Sequence, residues 1–405
     1  MKKLSPSAAA TTAPRVVMLL SNCFDPDPRV YNEARSLVKH GYSVSIVAWD
    51  RDRARPAVEV ADGIRVERVF VRSRHGRGLT QLFFMPLVFW LMMKKALHLG
   101  FDLVHAHDFD TLPLGFLLSR IRSKPLVYDS HEDYAGMLHG SIPLWLERYI
   151  RRVETRLVRR IDALFTVGET LRREFELRGC SNARTLGNWK AIEDFRLPEE
   201  VRAEVRAALK VPPESLLVSY ISNLGKERHI EELLEAVARR PQIYLVIGGT
   251  GPSADAVREY AQKYGNIRYL GFVPQAEIPR YTSACDLVFY GYDPASPNAR
   301  YSAPNKLFEG LAAGRPLLTA HFGEIGRIVA EHGCGVLLSD YRVEEILRGL
   351  DICSNRVSLE NMKKAAAEAG DGEYNWQRAE CILLNTYDEL LSSAQNYAVS
   401  PEAVV

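Results

Sequence analysis

Short apolar runs rich in β-branched residues alternate with longer helix-periodic segments along nearly the whole chain. The first run, RVVMLLS at 15–21, precedes a helix-periodic segment that ends near His40, and the pattern restarts after Asn188 with LLVSYI at 216–221. This alternation predicts βα units with parallel sheets, and its restart predicts two doubly wound Rossmann-like α/β domains facing a cleft. The expected strands are 15–21, 43–48, 64–71, 102–106, 125–128, 162–167, 216–221, 243–247, 267–269, 287–290, 316–319 and 335–338.

The length agrees with two domains, because 405 residues exceed what one ordinary core organises. The polar segment 187–198 is the natural linker between them. We predict a loose N-terminal tail at 1–14, a first domain at 15–188, a second domain at 189–372, and a helical segment at 373–396 that packs back on the first domain.

Composition excludes several classes of protein. The net charge is only +2, and aromatic residues are not interleaved with basic runs, so we expect no nucleic-acid partner. The six cysteines are scattered without a close pair of the kind that suits a metal site or a redox couple, which favours a reduced, cytoplasmic chain. The first 14 residues lack the apolar core of a secretory signal.

A dehydrogenase is the alternative that two nucleotide-binding domains first suggest. Its dinucleotide fingerprint needs a glycine-rich turn directly after the first strand, whereas this chain has SNCFDPDPR there. The only similar run is GGTGP at 248–252, after a strand of the second domain. Gly249 and Gly251 would let a helix N-terminus approach a phosphate closely, although a plain tight turn explains them equally well.

The order of several motifs carries a family resemblance. The second half contains LVSYISNLGKERHIEELLEAV, YLVIGGTGP, IRYLGFVPQAEIPRYTSACDLVFY and YSAPNKLFEGLAAGRPLLT, and the first half contains LVKHGYSVSIVAWD, FDLVHAHDFD, PLVYDSHEDY and ALFTVGETLRREFELRG. From Arg15 to about Tyr387 the chain resembles retaining glycosyltransferase family 4, which has the two-domain architecture called GT-B. The resemblance implies that the second domain binds a nucleotide diphosphate sugar and the first domain an acceptor.

The resemblance also implies donor-binding residues. Glu309 matches the second glutamate of the family's paired-glutamate motif, which accepts hydrogen bonds from the donor ribose, and a carboxylate suits vicinal hydroxyls. The first glutamate should stand eight positions earlier, where this chain has Tyr301, either a sugar contact or a packing residue. Backbone N–H groups of the loop between them are expected to face the sugar or the diphosphate. This loop contributes Ser302, Ala303 and Asn305.

The phosphate clamp departs from the family pattern as well. The usual arginine position after the first strand of the donor domain holds Asn223, and the second cation position, five residues on, holds Arg228. Arg228 is therefore expected to be the principal cation on the diphosphate, unless it pairs with Glu231 or Glu232 on its own helix. Lys306 is the nearest candidate to replace the missing cation, and Lys226 is a weaker one.

On the acceptor side, His131 matches the family histidine that lies close to the reacting sugar; the alternative is a loop histidine held by neighbouring carboxylates. His105 and His107 are read as walls of the cleft. The sequences Asp25-Pro26-Asp27 and Asp108-Phe109-Asp110 read Asp-x-Asp, but both follow strands of the wrong half for a donor metal. We therefore predict no metal and no cofactor, and expect Asp25, Asp27 and Arg29 to face the acceptor.

The implied reaction transfers the sugar to an acceptor hydroxyl with retention of anomeric configuration. No protein nucleophile is evident, so the departing phosphate oxygen is expected to take the acceptor proton. Arg228 and Lys306 are expected to stabilise the developing charge, and His131 to position the sugar. A lipid-linked or cell-surface glycan acceptor is expected, as in polysaccharide biosynthesis. Two alternatives stay open: an epimerase or phosphorylase of the same architecture, and a non-catalytic nucleotide-sugar-binding subunit.

One segment suggests peripheral membrane contact at the inner face of the cell membrane. LFFMPLVFWLMMKK at 82–95 is too short to span a bilayer but long enough to dip into one. A buried domain helix is the equal alternative. The basic residues expected beside the segment are Arg68, Arg72, Arg74 and Arg77, and those expected to form a cationic stripe on a second helix are Arg148, Arg152, Arg156 and Arg160.

Overall fold

The computed structural model describes residues 13–25, 27–73 and 78–399, which form two compact units. The first unit runs to Phe165 and takes in Phe175–Arg184 and the chain from Leu383 on. The second consists of Thr166–Glu174 and Thr185–Ile382. Residues 1–12 of the predicted N-terminal tail lie outside the described part of the chain.

The first unit is built on an eight-stranded sheet in the order β3-β4-β2-β1-β5-β6-β7-β8. β1 pairs in parallel with β2 and β5, and β3 is antiparallel to β4. Most residues of the central strands β1 and β2 are apolar and buried, as expected for parallel strands covered on both faces. The strands are β1 (Arg15–Leu20), β2 (Ser43–Trp49), β3 (Val58–Ala61), β4 (Ile64–Val69), β5 (Leu103–His107), β6 (Leu126–Ser130), β7 (Ala163–Thr166) and β8 (Ala183–Thr185).

The second unit contains a six-stranded sheet in the order β11-β10-β9-β12-β13-β14, with every recorded strand pair parallel. Its core gathers residues of the strands with buried residues of the helices Ile230–Ala238, Ala254–Lys263 and Val343–Cys353. The strands are β9 (Leu216–Ile221), β10 (Ile243–Gly248), β11 (Ile267–Tyr269), β12 (Leu287–Phe289), β13 (Leu317–Ala320) and β14 (Gly335–Leu338).

The helices alternate with these strands. Asp27 caps the first helix by accepting hydrogen bonds from two backbone N–H groups, and the last helix begins in the second unit and continues into the first. The helices are α1 (Pro28–Lys39), α2 (Gly78–Leu99), α3 (Leu112–Arg122), α4 (Tyr134–Met137), α5 (Leu144–Val158), α6 (Glu169–Leu177), α7 (Ile192–Phe195), α8 (Glu199–Ala208), α9 (Ile230–Ala238), α10 (Ala254–Lys263), α11 (Ile278–Ala284), α12 (Asn305–Ala312), α13 (Gly323–His332), α14 (Val343–Cys353), α15 (Arg356–Gly372) and α16 (Trp376–Val399).

Strand order determines where each sheet can hold a ligand. In both sheets the order reverses beside the first strand, between β1 and β5 in the first unit and between β9 and β12 in the second. Ligands of doubly wound sheets bind beyond the carboxyl ends of the strands at such a reversal. The loops after β1, β5, β9 and β12 are therefore the places where each unit carries its site.

All the predicted strands are present, with ends that agree within about two residues, and the predicted pair of Rossmann-like α/β domains is confirmed. β3 and β8 were not predicted. Both are short edge strands without an apolar run, VEVA and ART. Among the helices that the structure describes, none is both long enough and apolar enough to cross a membrane.

Candidate functional site

The loops after β9 and β10 pack against each other at the strand reversal of the second unit. Leu224 N donates to Thr250 O at 3.0 Å, and Gly249 and Gly251 adopt φ values of 136° and 151°. A Cβ atom on Gly249 would lie 1.8 Å from Ser222 O, and one on Gly251 would lie 2.7 Å from Asn223 Oδ1. The glycines of GGTGP are thus required by the close approach of two loops, which brings Asn223 beside Gly251.

Arg228 is held at the same edge by two tyrosines. Its Nη1 donates to Tyr290 Oη at 2.5 Å, and its guanidinium carbon lies 4.1 Å from the centre of the Tyr292 ring. Its Nε lies 3.3 Å from Glu227 Oε1 and makes no hydrogen bond to any described residue. Arg228 therefore does not depend on Glu231 or Glu232, and its half-buried guanidinium is positioned before any ligand arrives.

Further aromatic contacts fix the tyrosines themselves. Tyr341 Oη donates to Tyr290 O at 3.1 Å and accepts from Ala320 N at 3.1 Å, so it joins the ends of β12 and β13. His229 stacks on the Tyr341 ring at 4.4 Å. This aromatic support was not predicted, although Tyr290 ends a predicted strand and Tyr292 and Tyr341 follow predicted strands, where ligand-binding residues concentrate.

Glu309 and Lys306 form an ion pair on α12. They are three residues apart, which places them on one face of the helix, and their side chains are only 6% and 10% exposed. Glu309 is buried in an apolar helix, as the sequence predicts. Its negative charge is balanced by the positive charge of Lys306. The structure thus brings together the residue predicted to bind the ribose and the lysine predicted to replace the missing phosphate cation.

The loop before α12 is fixed by hydrogen bonds. Tyr301 N and Ser302 N both donate to Asn298 O, while Asn188 Nδ2 donates to Ala303 O at 3.1 Å. Lys190 Nζ donates to Asn305 Oδ1 at 2.7 Å, and Tyr301 is half-exposed. N–H groups in the first turn of a helix have no intrahelical acceptor, so the start of α12 offers donors to an anion.

In the first unit, His131 lies between two carboxylates. Its Nε2 is 2.9 Å from Asp129 Oδ2, and its Nδ1 is 3.5 Å from Asp108 Oδ2. Its backbone N–H donates to Asp108 Oδ1 at 3.1 Å. Burial opposes the imidazolium charge, but the attraction of Asp108 and Asp129 outweighs it and raises the pKa of His131 to about 10. The two neighbouring carboxylates therefore favour the protonated form of His131.

Asp129 is itself bound from the opposite side by Arg29. Both carboxylate oxygens accept hydrogen bonds from the Arg29 guanidinium, each at 2.7 Å, and both side chains are buried. Burial alone would raise the pKa of Asp129, but Arg29 and then His131 hold it well below the ordinary value. Glu33 lies 3.3 Å from Arg29 Nε, and burial together with the negative charge of Asp129 raises its pKa well above the ordinary value.

His105 and His107 complete this buried group. The centres of their rings lie 4.1 Å apart with a tilt of 34° between the planes, and burial lowers the pKa of both. His107 Nδ1 lies 3.4 Å from Asp129 Oδ2, and His105 Nδ1 lies 2.8 Å from the hydroxyl of Tyr387 on α16. One nitrogen or oxygen atom of each of Glu33, His105, His107 and Asp129 lies within 4.8 Å of the others, a spacing that a metal ion could bridge. The guanidinium of Arg29 already forms ion pairs with the two carboxylates of this group.

The other residues predicted to face the acceptor have contacts of their own. Asp25 forms an ion pair with Arg55, while Asp27 caps α1 and also accepts from Asn22 Nδ2 at 3.3 Å. Arg29 is only 8% exposed, and its guanidinium forms ion pairs with Asp129 and Glu33.

The predicted membrane segment lies on α2 and is only partly covered. Val88 and Met92 are buried, whereas Phe84, Leu87 and Trp90 are exposed. The expected stripe on α5 is exposed as well: it comprises Arg148, Arg152, Arg156 and, just after the helix, Arg160.

The basic stretch beside α2 is only partly at the surface. Arg72 is exposed, but the prediction that Arg68 lies there too is wrong. Arg68 is buried because its guanidinium donates to Cys23 O at 2.9 Å and pairs with Glu59. Arg74 and Arg77 lie outside the described residues.

Comparisons with known proteins agree with this architecture. Residues 26–189 match the model of the glycosyl transferase 4-like domain, and residues 201–369 match that of the glycosyl transferases group 1. The chain is 25% identical to glycogen synthase of Mycobacterium tuberculosis, over 71% of this chain and 68% of that protein.

Two solved structures share the fold. Sucrose-phosphate synthase from Thermosynechococcus elongatus superposes with a TM-score of 0.77 at 16% identity, covering 94% of this chain and all of that one. The Anabaena protein Alr3699/HepE in complex with UDP-glucose superposes with a TM-score of 0.69 at 18% identity, covering 93% and 100%.

Proposed function

Because the chain belongs to the group 1 glycosyltransferases and has their GT-B fold, we propose that it transfers a sugar from a nucleotide diphosphate donor to an acceptor hydroxyl with retention of configuration. The observation that carries the proposal is that Arg228 follows β9 and the loop leading to α12, the helix of Glu309, follows β12, so both segments leave the carboxyl edge of the second sheet at its strand reversal. The UDP-glucose complex of Alr3699/HepE supports the same class of donor.

The donor would be held by groups at the start of α12 and on the two loops that follow β9 and β10. Glu309 would accept from the ribose hydroxyls, exchanging part of its contact with Lys306 for them. Backbone N–H groups from Ser302 to Asn305 would face the sugar or the diphosphate, with Tyr301 at the sugar end. Asn223, Gly249 and Gly251 would form the opposite wall of the donor site.

Arg228 and Lys306 would neutralise the leaving diphosphate. The Arg228 guanidinium is positioned by Tyr290 and Tyr292, and its Nε, 3.3 Å from Glu227 Oε1, makes no hydrogen bond to a described residue. A guanidinium can hold two phosphate oxygens together, so this residue would stabilise the charge that develops as the bond to the sugar breaks. The departing phosphate oxygen would take the proton of the acceptor hydroxyl.

The first unit would bind the acceptor and direct His131 toward the sugar. Asp108 and Asp129 beside the ring favour the protonated form of His131, a hydrogen-bond donor that suits a positioning role better than that of a base. Asp25 and Asp27 lie in the loop after β1, at the strand reversal, and would face the acceptor. Arg29 and His107 are buried and would act through Asp129.

We also propose that the first unit rests on an anionic membrane at the inner face of the cell membrane. Support comes from the hydrogen bonds of α3 to its two neighbours. Arg122 Nη2 donates to Leu97 O of α2 at 3.2 Å, and Arg120 Nη2 donates at 3.0 Å to Arg160 O, just after α5. The three helices thus form one outer layer. Its exposed apolar residues are Phe84, Leu87, Trp90, Leu117, Ile121, Leu144, Trp145 and Tyr149.

Such a layer has the composition of an interfacial surface. Tryptophan and tyrosine sit favourably at the boundary between headgroups and acyl chains, and the exposed arginines of α5 with Lys94 of α2 would attract anionic lipids. A membrane location would suit a lipid-linked acceptor or a growing glycan of polysaccharide biosynthesis.

A thermal-stability screen tests the donor class. Ligands that bind the folded state raise the apparent melting temperature by mass action, so one of the UDP-, GDP- or ADP-sugars should stabilise the protein. Glu309→Gln is the matched variant, because it keeps the size of the side chain and removes the charge. A stabilisation that is equal in both proteins, or absent for every nucleotide sugar, contradicts the proposed donor site.

A further inference from the structure

His131 is surrounded by charged and titratable groups from three elements of the first unit. Asp129 stands near the end of β6, and Asp108 follows β5. The Nδ1 atom of His107, on β5, lies 3.3 Å from the Nε2 atom of His131. Arg29 and Glu33 come from α1 and face Asp129 from the other side. The geometry at His131 is therefore determined by several buried side chains, of which only Arg29 and His107 were expected to have a functional role.

The two nitrogens of the His131 ring are not equivalent. The Nε2 distance to Asp129, 2.9 Å, is that of a charge-assisted hydrogen bond. The Nδ1 distance to Asp108, 3.5 Å, is too long for a good hydrogen bond. Nδ1–H is therefore available to donate a hydrogen bond to a ligand. The His131 side chain is 18% exposed, so a ligand can reach it from solvent.

We propose that Asp129, fixed by Arg29, and Asp108 are positioning residues that keep both nitrogens of His131 protonated and direct Nδ1–H toward the substrate. This inference rests on the proposed function for the identity of the substrate, but the protonation and orientation of His131 do not depend on it. In this arrangement His131 never serves as the base, and the acceptor proton goes to the departing phosphate oxygen.

The charges of the cluster balance only with His131 protonated. Arg29 and His131 provide two positive charges, while the carboxylates of Asp129 and Asp108 provide two negative ones. Burial and the negative charge of Asp129 raise the pKa of Glu33 well above the ordinary value, which favours its neutral form. A neutral His131 would remove the positive charge beside Asp108, whose side chain is 32% exposed, so hydration would compensate for only part of that loss.

Asp108→Asn tests the proposal with little disturbance of the fold. The asparagine oxygen can still accept from His131 N, and the Asp108 side chain is 32% exposed. Asp102→Asn is the matched control, because Asp102 lies just before β5, at the opposite end of the strand from Asp108, and is 28% exposed. The double variant Arg29→Gln with Asp129→Asn removes the second carboxylate without leaving a buried guanidinium unpaired.

The readout is the pKa of His131 by NMR of its ring signals, assigned by their loss in His131→Gln. We expect the wild type and Asp102→Asn to remain protonated across the neutral range, and Asp108→Asn and the double variant to lower the pKa by about one unit or more. Titration of the wild-type ring near its ordinary value, or the same pKa in all four proteins, overturns the proposal.

Kinetics give a second readout. If a donor is turned over, kcat of Asp108→Asn should fall as the pH rises through the lowered pKa of His131, whereas kcat of Asp102→Asn should follow the wild type. An unchanged pH profile in Asp108→Asn also overturns the proposal. Failure of the proposed function looks different: no nucleotide sugar would bind, while the NMR titration of His131 would still shift as expected.

Discussion

Breaking the ion pair between Glu309 and Lys306 should lower both the free energy of unfolding and the affinity for the donor, and the two effects can be measured separately. Both side chains are at most 10% exposed, so Glu309→Ala leaves a lysine charge buried without its partner. Losing one member of such a pair should lower the free energy of unfolding by about 3–5 kcal/mol. If Glu309 also accepts from the ribose, affinity for the nucleoside diphosphate should fall by ~2 kcal/mol, about 30-fold.

Two further variants separate these effects. Lys306→Met with Glu309→Gln removes both charges and should recover most of the lost stability, measured by denaturant unfolding. Lys306→Met alone keeps the carboxylate, so calorimetry should show that it binds nucleoside diphosphate more tightly than the double variant does. Equal affinities for these two proteins would refute the ribose assignment, because the carboxylate would then contribute nothing to the donor.

Four other outcomes are expected. His131→Ala should lower kcat with little change in affinity for free nucleoside diphosphate, and an unchanged kcat would mean that His131 is only a loop residue. Arg228→Ala should lower kcat by ~10²-fold and Arg228→Lys should recover part of it; a nearly normal Arg228→Ala beside an inactive Lys306→Ala would move the clamp to α12. Liposome flotation should show binding to anionic vesicles that is lost at high salt and weakened by Trp90→Ser and Trp145→Ser, and failure to float at low salt would contradict the membrane surface. Because the folded pKa of His131 is about 10 against an unfolded value of about 6.5, its contribution to stability should be complete below about pH 6.5 and decline as the pH rises toward 10, with His131→Gln showing no such decline.

The sequence predicted the sheets better than the contacts at their edges. Interior strands such as Leu216–Ile221 are nearly continuous apolar runs, because both faces of a parallel sheet are covered, and such runs are visible without a structure. The edge strands Val58–Ala61 and Ala183–Thr185 carry no such pattern, since the first is mostly exposed and the second is only half-buried. Their pairing depends on neighbouring strands rather than on their own composition.

Pairings within the candidate sites depended on tertiary structure to different degrees. The spacing of Lys306 and Glu309 on one helix made their ion pair foreseeable, although they were assigned separate roles. The contact between Arg29 and Asp129 joins residues 100 positions apart in the chain, so no local pattern reports it. The same holds for Arg228 and Tyr290, where charge suggested a phosphate ligand but gave no sign of the tyrosine that positions it.

The anomeric configuration of the sugar released during slow donor hydrolysis tests the central claim most directly. Once the stability screen has identified the nucleotide sugar, the purified protein is incubated with it without acceptor, and early products are observed by proton NMR before mutarotation. We predict release of nucleoside diphosphate together with free sugar in the configuration it had in the donor. Inverted sugar, or converted sugar without release of nucleotide, would contradict the account of a retaining glycosyltransferase.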